Sequence, residues 1–399
     1  MKQVFSSFDQ KKNRISHMPD PIRSHIVSFL PMKEAMRSSI LSRQWRYVCS
    51  SLSNLKFDQV DFEETKKRKR GDFRDFVDET LLSHNGSDIK RFSLTVKVGD
   101  TFISSRHLNS WISFAVKHNV QDFEISSYGD DIEKLPQCLF TSSTLTKLSL
   151  YSVVIKGPRN IKFPMLKSLA LLEVTINDEN LVNSLLSSST CPVIEKLVMR
   201  LCSMAINTLS ISIPTLKHLH LLDSNYPDIN ISNSVLRKLK YMCGKPPNLI
   251  YENLVSVVSA KLQFELDFSY YGGSMDSVSK CASKILVWLR NVEKLCLMSG
   301  FIEDTTDLDV VEVGEFWKPK QLPAGDILNS LKTVDIEDFK GSDGELYLVR
   351  FLLDNAKVLE NMNICYSKIE KKVVRCKKSV SEMLSTFTRV SPLVTISLS

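Results

Sequence analysis

Several motifs that would mark an enzyme are missing from this 399-residue sequence. It has only 13 glycines, no glycine-rich phosphate loop and no Gly-x-Ser-x-Gly turn. The missing loop excludes a P-loop nucleotide hydrolase, and the missing turn excludes an α/β-hydrolase. We therefore expect no catalytic residue and no cofactor.

Membrane spans and disulfide motifs are also missing. No run approaches the roughly 18 consecutive apolar residues of a transmembrane helix. The N-terminal stretch lacks the apolar core of a signal peptide. The 9 cysteines are odd in number and include no Cys-x-x-Cys pair. We expect reduced thiols in a nuclear or cytoplasmic protein that does not bind membranes.

Positive charge is concentrated in one short run. The 52 basic and 45 acidic residues give a net charge of +7. The run consists of Lys66, Lys67, Arg68, Lys69 and Arg70. Adjacent like charges repel one another, so we expect a solvated loop, either a plain linker or a nuclear-import signal. No base-reading motif accompanies it, and we expect no nucleic-acid partner.

One pattern, apolar-x-x-apolar-x-apolar, recurs over most of the chain. The copies are Ile89/Phe92/Leu94, Val120/Phe123/Ile125, Leu145/Leu148/Leu150, Leu166/Leu169/Leu171, Ile194/Leu197/Met199, Leu216/Leu219/Leu221, Leu236/Leu239/Tyr241, Val292/Leu295/Leu297, Leu331/Val334/Ile336 and Leu359/Met362/Ile364. Most neighbouring copies are 20 to 31 residues apart, close to the period of leucine-rich repeats. A degraded copy near Leu254 and Val257 falls in the longest gap.

Helical patterns lie between several of these short strands. Apolar residues share one helical face in Phe73/Val77/Leu81, Leu108/Ile112/Ala115, Leu181/Val182/Leu185, Val278/Cys281/Ile285/Leu289 and Leu346/Val349/Leu353. A repeated strand and helix cannot bury their apolar faces alone, so repeats stack on one another. The sequence predicts an α/β leucine-rich-repeat solenoid, with an ordinary α/β domain as the alternative. An acidic stretch at 302–315 and the proline-containing segment 317–323 are predicted to form a loop.

The N-terminal segment, residues 14–55, has no strand pattern. Asp20 fits a helix N-cap and Pro21 the first helical position. Further short helices are predicted to begin near Met32 and Arg43. Three such helices bury too little apolar surface to be stable alone, and the remaining apolar surface requires a partner.

This segment resembles a plant-type F-box. The resemblance is carried by Arg14–Ile22, His25–Ala35 and Ser38–Arg46. These stretches contain an Ile-Ser pair, a Ser-Phe-Leu-Pro run and a Leu-Ser-x-x-Trp-Arg run. Asn13 stands where the family has an acid, and Met18 where it has a leucine.

The C-terminal region is similar to the FBD region found in the same plant proteins. The matching stretches are Ser330–Ile336, Phe339–Gly341, Glu345–Ala356, Leu359–Met362 and Arg389–Pro392. The chain therefore resembles plant F-box/FBD/LRR proteins over nearly its whole length.

The resemblance implies a non-catalytic subunit of a ubiquitin ligase. In that family the F-box binds a Skp-type adaptor and, through it, a cullin and a RING protein, while the repeats hold a protein substrate. The residues at the family's adaptor-facing positions are Met18, Pro19, Ile22, Ile26, Leu30, Pro31, Ala35, Leu41 and Trp45, and some of these are expected to pack within the helices instead of contacting the adaptor.

Basic residues recur on the strand face opposite the core. They are Lys147, Lys196, Arg200, His218, His220, Lys238, Lys240 and Lys294. A basic stripe on the concave face favours an acidic or phosphorylated substrate segment, or a polyphosphate. Lysines placed there for solubility are the alternative. His218 and His220 share a face, but no ligand spacing recurs and no metal is predicted.

The predicted organisation has four parts: an F-box at 10–56, a basic linker and first repeat-like helix at 57–85, leucine-rich repeats at 86–316, and an FBD-like region at 317–399. The predicted function is substrate recognition in an SCF-type (cullin-RING) ubiquitin ligase. Two alternatives stay open: a binding scaffold outside any ligase, and a small-molecule or polyphosphate sensor.

Overall fold

The computed structural model describes residues 18–64, 72–98, 103–211, 213–222, 228–231, 235–242, 256–263, 291–298, 328–367 and 377–399. The basic run, the acidic stretch, segment 317–323, Leu254 and the helical pattern from Val278 to Leu289 lie outside the described residues. The chain divides into two compact units. The first runs to Leu185 and includes Ser189–Val193, and the second comprises Leu186–Ser188 and Ile194–Ser399.

Three short helices open the first unit. They are α1 (Asp20–Ser28), α2 (Met32–Ser38) and α3 (Arg43–Ser50). The predicted starts of α2 and α3 are confirmed, but α1 begins one residue earlier than predicted, because Pro19 and not Asp20 occupies the N-cap. Pro21 then lies at the second helical position, where the amide hydrogen it lacks has no intrahelical partner to lose.

The rest of the first unit alternates strands with helices. Its elements are β1 (Asn54–Asp58), α4 (Gln59–Glu64), α5 (Asp72–Ser83), β2 (Arg91–Val98), α6 (Ser105–Lys117), β3 (Asp122–Gly129), α7 (Gln137–Phe140), β4 (Lys147–Val154), β5 (Ser168–Ile176) and α8 (Glu179–Leu185). The strands form a parallel sheet in the order β1-β2-β3-β4-β5.

The second unit continues the same pattern. Its elements are β6 (Lys196–Arg200), β7 (Ser203–Met204), β8 (Thr208–Ile211), β9 (His218–Leu222), β10 (Asp228–Ile231), β11 (Lys238–Met242), β12 (Ser259–Gln263), β13 (Lys294–Met298), β14 (Thr333–Phe339), α9 (Asp343–Asn355), β15 (Asn361–Tyr366), α10 (Lys377–Thr386) and β16 (Thr395–Leu398). Its parallel sheet has the order β6-β9-β11-β12-β13-β14-β15-β16, and β8 pairs separately with β10.

The repeated triplet explains the register of both sheets. All ten predicted copies form strands, and the second and third apolar residues of each copy point inward. Leu197, Leu219 and Leu239, the second residues of three successive copies, are direct partners across β6, β9 and β11. Each strand pairs with the strand of the next repeat, which is repeat packing and not the crossover order of an ordinary α/β domain.

Six strands lie outside the ten predicted copies: β1, β7, β8, β10, β12 and β16. β1 carries Leu52/Leu55/Phe57 and β16 carries Leu393/Ile396/Leu398, both with the triplet spacing. β12 carries Val257/Ala260/Leu262, so the degraded copy begins three residues later than predicted. An alanine at the second position had obscured it.

The predicted helical faces within the described residues are buried. Val77, Ile112 and Val349 are 0% exposed, on α5, α6 and α9 respectively. A capping box fixes the start of α9. The Ser342 hydroxyl accepts a hydrogen bond from the Glu345 amide at 3.3 Å, and the Glu345 carboxylate accepts one from the Ser342 amide at 2.9 Å.

Candidate functional site

Helix α1 turns an apolar stripe outward. The stripe consists of Ile22 on α1, Phe29 at its C-cap and Leu30 directly after it, which are 48%, 74% and 39% exposed. Arg23 and Val27 of the same helix are 5% and 1% exposed. The helix therefore buries Arg23 and Val27, while Ile22 and the two residues that follow the helix present apolar side chains to solvent.

A polar network holds α1 in this orientation. The Arg23 guanidinium donates a hydrogen bond to the Gln44 side chain at 2.5 Å and forms an ion pair with Asp20. Gln44 belongs to α3, so the contact joins the two helices. A buried guanidinium needs such partners, because a buried charge without a partner destabilises the fold by about 3–5 kcal/mol.

The nine predicted adaptor-facing residues fall into three groups. Those exposed to solvent are Pro19, Ile22, Leu30, Pro31 and Leu41. Met18 and Ile26 are half-buried. Ala35 and Trp45 are 1% and 3% exposed and belong to the interior of the three helices.

Ala35 and Trp45 are therefore the members of the set that pack internally, and adaptor contact by the other seven stays a prediction. Both α1 and α2 pack against α3, and the Cys49 thiol of α3 donates a hydrogen bond to the Ala35 carbonyl at 3.1 Å. Side chains enclosed in this way hold the helices together and have no free surface for a partner. Trp45 is the largest of these enclosed side chains. Large aromatic residues are common both in protein cores and in interfaces, so the sequence alone does not distinguish the two roles.

Three exposed apolar residues of the same segment were not among those predicted. Phe29, Ile40 and Tyr47 are 74%, 83% and 59% exposed. Phe29 continues the α1 stripe, so its helical spacing from Ile22 was the available signal. Ile40 lies between α2 and α3, where no periodicity reveals which way a side chain points.

A second surface lies on the strands of the second unit. We call Lys196, His218, His220, Lys238 and Lys240 the basic cluster. The register places Lys196, His218 and Lys238 in one row across β6, β9 and β11. His220 and Lys240 are partners in the row two residues further on. The buried residues between them, such as Leu219 and Leu239, point to the core, so the cluster shares the open face.

The lysines of this cluster change the protonation of its histidines. Partial burial, followed by the charges of Lys196 and Lys240, lowers the pKa of His220 to about 4. Burial together with Lys238 and Lys196 also lowers the pKa of His218. Both causes disfavour the imidazolium, so the two rings are neutral at neutral pH.

The remaining predicted basic residues lie apart from this cluster. Lys147 belongs to the first unit and forms a 3.9 Å ion pair with Asp122. Lys294 shares a row with Lys238, but Ser259 of β12 separates them. Arg200 is paired with Leu222, one row beyond His220.

Lys261 of β12 was missed because it belongs to the obscured repeat. It is the register partner of Lys240 and forms a 2.5 Å ion pair with Glu337 of β14. Hydrogen bonding from Lys261 lowers the pKa of Glu337. Burial and a hydrogen bond to Glu337 raise the pKa of the Cys296 thiol to about 12, so this thiol is protonated.

Comparison with known proteins identifies three families that match successive parts of the chain. Residues 15–57 match the F-box domain family, 108–261 match the family described as FBD-associated F-box protein At5g56370, LRR repeats, and 326–364 match the FBD family. The Arabidopsis thaliana F-box/FBD/LRR-repeat protein At5g56420 is 31% identical over 391 residues, covering 86% of this chain and 89% of the relative. The chain belongs to the plant F-box/FBD/LRR-repeat family.

Two further relatives are matched over less of their length. The F-box/LRR-repeat proteins At2g42730 and At4g14096 of Arabidopsis thaliana are 31% and 30% identical, each over 73% of this chain. This chain covers 66% and 63% of those relatives, which is less than two thirds of either.

Family membership assigns each surface to a module. The F-box match contains α1, α2 and α3 with their apolar stripe, and the repeat match contains β6, β9 and β11 with the basic cluster. The predicted α/β leucine-rich-repeat architecture with an F-box before it and an FBD region after it is confirmed. The predicted boundaries at 56, 85 and 316 stay predictions.

The described residues contain no helix long and apolar enough to cross a membrane. They also contain no group of three or more histidine, cysteine or acidic side chains placed to hold a metal ion. The charged side chains that act on His218 and His220 are mainly lysines, which repel a cation, together with Glu195 near His218.

Proposed function

We propose that this F-box/FBD/LRR-repeat chain is the substrate-recognition subunit of an SCF-type ubiquitin ligase. Its F-box binds a Skp-type adaptor, which links it to a cullin and a RING protein. Its repeats hold a protein substrate for ubiquitination. The chain supplies no catalytic group and acts by raising the effective concentration of the substrate near the charged enzyme.

The exposed stripe of α1 carries this proposal. Ile22, Phe29 and Leu30 stay exposed, whereas the second and third residues of all ten repeat triplets are buried. An exposed apolar row of this kind marks an interaction surface when polar residues surround it. In protein interfaces, such residues supply the few hot spots that contribute most of the binding energy.

Co-purification tests the ligase assignment. The full chain, produced with a Skp-type adaptor, a cullin and a RING protein, is expected to bring down all three. Recovery of the adaptor without the cullin would support a scaffold outside the ligase. Recovery of none of them by a folded chain would contradict the proposal.

We further propose that the run Lys66–Arg70 directs nuclear import. Its five adjacent positive charges suit the acidic groove of an import receptor. Replacing all five residues by glutamine is expected to shift a fluorescent fusion from the nucleus to the cytoplasm. The matched control replaces five dispersed lysines. Equal nuclear fractions for wild type and the run variant would leave the run as a plain linker.

A further inference from the structure

The charged side chains on the open face of β6, β9 and β11 are all basic. Its outward positions carry lysine, arginine, histidine and apolar side chains, and no carboxylate. Two carboxylates act on it electrostatically, Glu195 on His218 and Glu337 on Lys240. Both are already paired with lysines outside the basic cluster: Glu195 with Lys217 at 3.1 Å and Glu337 with Lys261 at 2.5 Å.

The lysines of the cluster, in contrast, form no such pairs. Among the ion pairs of the described residues, none involves Lys196, Lys238 or Lys240. Lys196 and Lys238 are exposed, and Lys240 is half-buried. The positive potential of the cluster is therefore directed at solvent.

The sheet geometry concentrates these charges in a small area. Neighbouring strands are about 4.8 Å apart, and alternate residues of one strand are about 6.6 Å apart. Lys196 and Lys238 therefore flank His218 at a separation of about 10 Å, and Lys240 lies one row further. Lysine side chains are long enough for the three ammonium groups to converge above the two imidazoles.

We propose that the basic cluster binds a phosphorylated side chain in an extended segment of the protein substrate. A phosphate monoester carries a charge of about −1.5 to −2 and three acceptor oxygens. Three ammonium groups and the N–H groups of two neutral imidazoles match that charge and that number of acceptors. An aspartate or glutamate has one charge and two oxygens, and leaves part of the cluster unpaired. The assignment rests on the proposed role as a substrate receptor.

Phosphopeptide capture by the full chain in complex with its adaptor tests the assignment. The probe is a degenerate peptide pool with one central phosphoserine, compared with the same pool carrying serine or glutamate. We expect retention of the phosphoserine pool at least tenfold above both others. Lys196→Gln/Lys238→Gln should abolish this difference, and Lys332→Gln/Lys357→Gln, which removes the same charge elsewhere in the unit, should preserve it.

A second readout reports on the site directly. In proton NMR titration, addition of the captured phosphopeptides should raise the pKa of His220 by at least one unit, because a nearby dianion stabilises the imidazolium. An unchanged His220 titration would place the phosphate elsewhere and overturn the assignment.

Other outcomes would also overturn it. Equal retention of phosphoserine and glutamate pools would show a general acidic preference. Retention of tripolyphosphate without any phosphopeptide would identify a free polyphosphate as the ligand. Co-purification of the adaptor is scored in the same samples. If the adaptor is retained while phosphopeptides are not, the phosphate assignment fails and the proposed function stands; if the adaptor itself is lost, the proposed function fails.

Discussion

Two cysteines of this chain lie in opposite environments. Cys191 is 0% exposed, and burial raises the pKa of its thiol to about 12, whereas Cys365 on β15 is exposed to solvent. Alkylation requires both access and a thiolate. We predict that iodoacetamide at pH 8 modifies Cys365 in the folded protein and modifies Cys191 only after denaturation, as measured by peptide mass spectrometry. Equal rates at the two sites in the folded protein would contradict the packing of β5, α8 and their connections.

His220 makes the stability of the second unit depend on pH. Its pKa is about 4 in the folded protein, against an ordinary value of about 6.5 in the unfolded chain. Between these values the unfolded chain binds the extra proton, so stability is fully present above pH 6.5 and is lost as the pH falls toward 4.

The test compares His220→Gln with wild type. Because the ring is only partly buried, solvent screening reduces the effect to about 1 kcal/mol, or about 2–4 °C in the unfolding midpoint. Between pH 7 and pH 5, the wild-type midpoint should fall by that much more than the midpoint of the variant. His107→Gln, on α6 of the first unit, serves as the control. Parallel decreases for wild type and His220→Gln would show that burial and the neighbouring lysines do not lower the pKa of this ring.

The sequence identified the apolar residues of the F-box segment, but it did not show which of them are exposed and which pack inside the three helices. Ile22, Leu30 and Leu41 are exposed as a partner contact requires, while Ala35 and Trp45 are enclosed. Both groups are apolar, and both share helical spacing with their neighbours. Only the packing of three helices against one another decides which side of each helix is covered. Sequence periodicity identifies a face without saying whether this chain or a partner buries it.

At the scale of elements, the inner row of the sheet should contribute most to stability. Leu219 is 0% exposed between Leu197 and Leu239, and Leu219→Ala leaves a cavity that neighbouring strands cannot fill. We predict a loss of about 2–5 kcal/mol in the free energy of unfolding of the second unit. Urea titration measures this loss. Leu393→Ala, at a side chain that is 72% exposed, should change it by less than about 0.5 kcal/mol. Equal losses for Leu219→Ala and Leu393→Ala would contradict the buried position of Leu219 between Leu197 and Leu239.

The strands were the most predictable elements because each repeat encodes its own inward face. The triplet spacing located all ten predicted strands, since a period of two residues fixes which side chains are buried. β1 and β16 have the same spacing but lie at the ends of the series, where no preceding or following copy supports the pattern. The start of α1 differed by one residue, because proline and aspartate are both favoured at the first helical positions and their order decides the cap.

At the scale of the whole molecule, the two surfaces belong to different units. The F-box stripe is in the first unit and the basic cluster is in the second. Because the two surfaces consist of different residues in different units, a change at one surface is expected to leave binding at the other intact. The use of different residues suits the proposed receptor role, in which the adaptor and the substrate are bound at the same time.

The measurement that tests the central claim most directly is the affinity of the full chain for a Skp-type adaptor. The test variant is Ile22→Asp/Leu30→Asp on the α1 stripe. The matched control is Leu82→Asp/Met165→Asp, at exposed apolar positions of the same unit outside the F-box. All four side chains are 39–86% exposed, so both variants should fold, which circular dichroism checks.

Truncating a hot spot costs about 2 kcal/mol or more, and a charge placed in an apolar interface costs at least as much. We predict at least a 100-fold loss of adaptor affinity for the stripe variant and less than a threefold change for the control. Equal affinities for the stripe variant and wild type, with both proteins folded, would contradict the claim that the exposed face of α1 is the adaptor-binding surface.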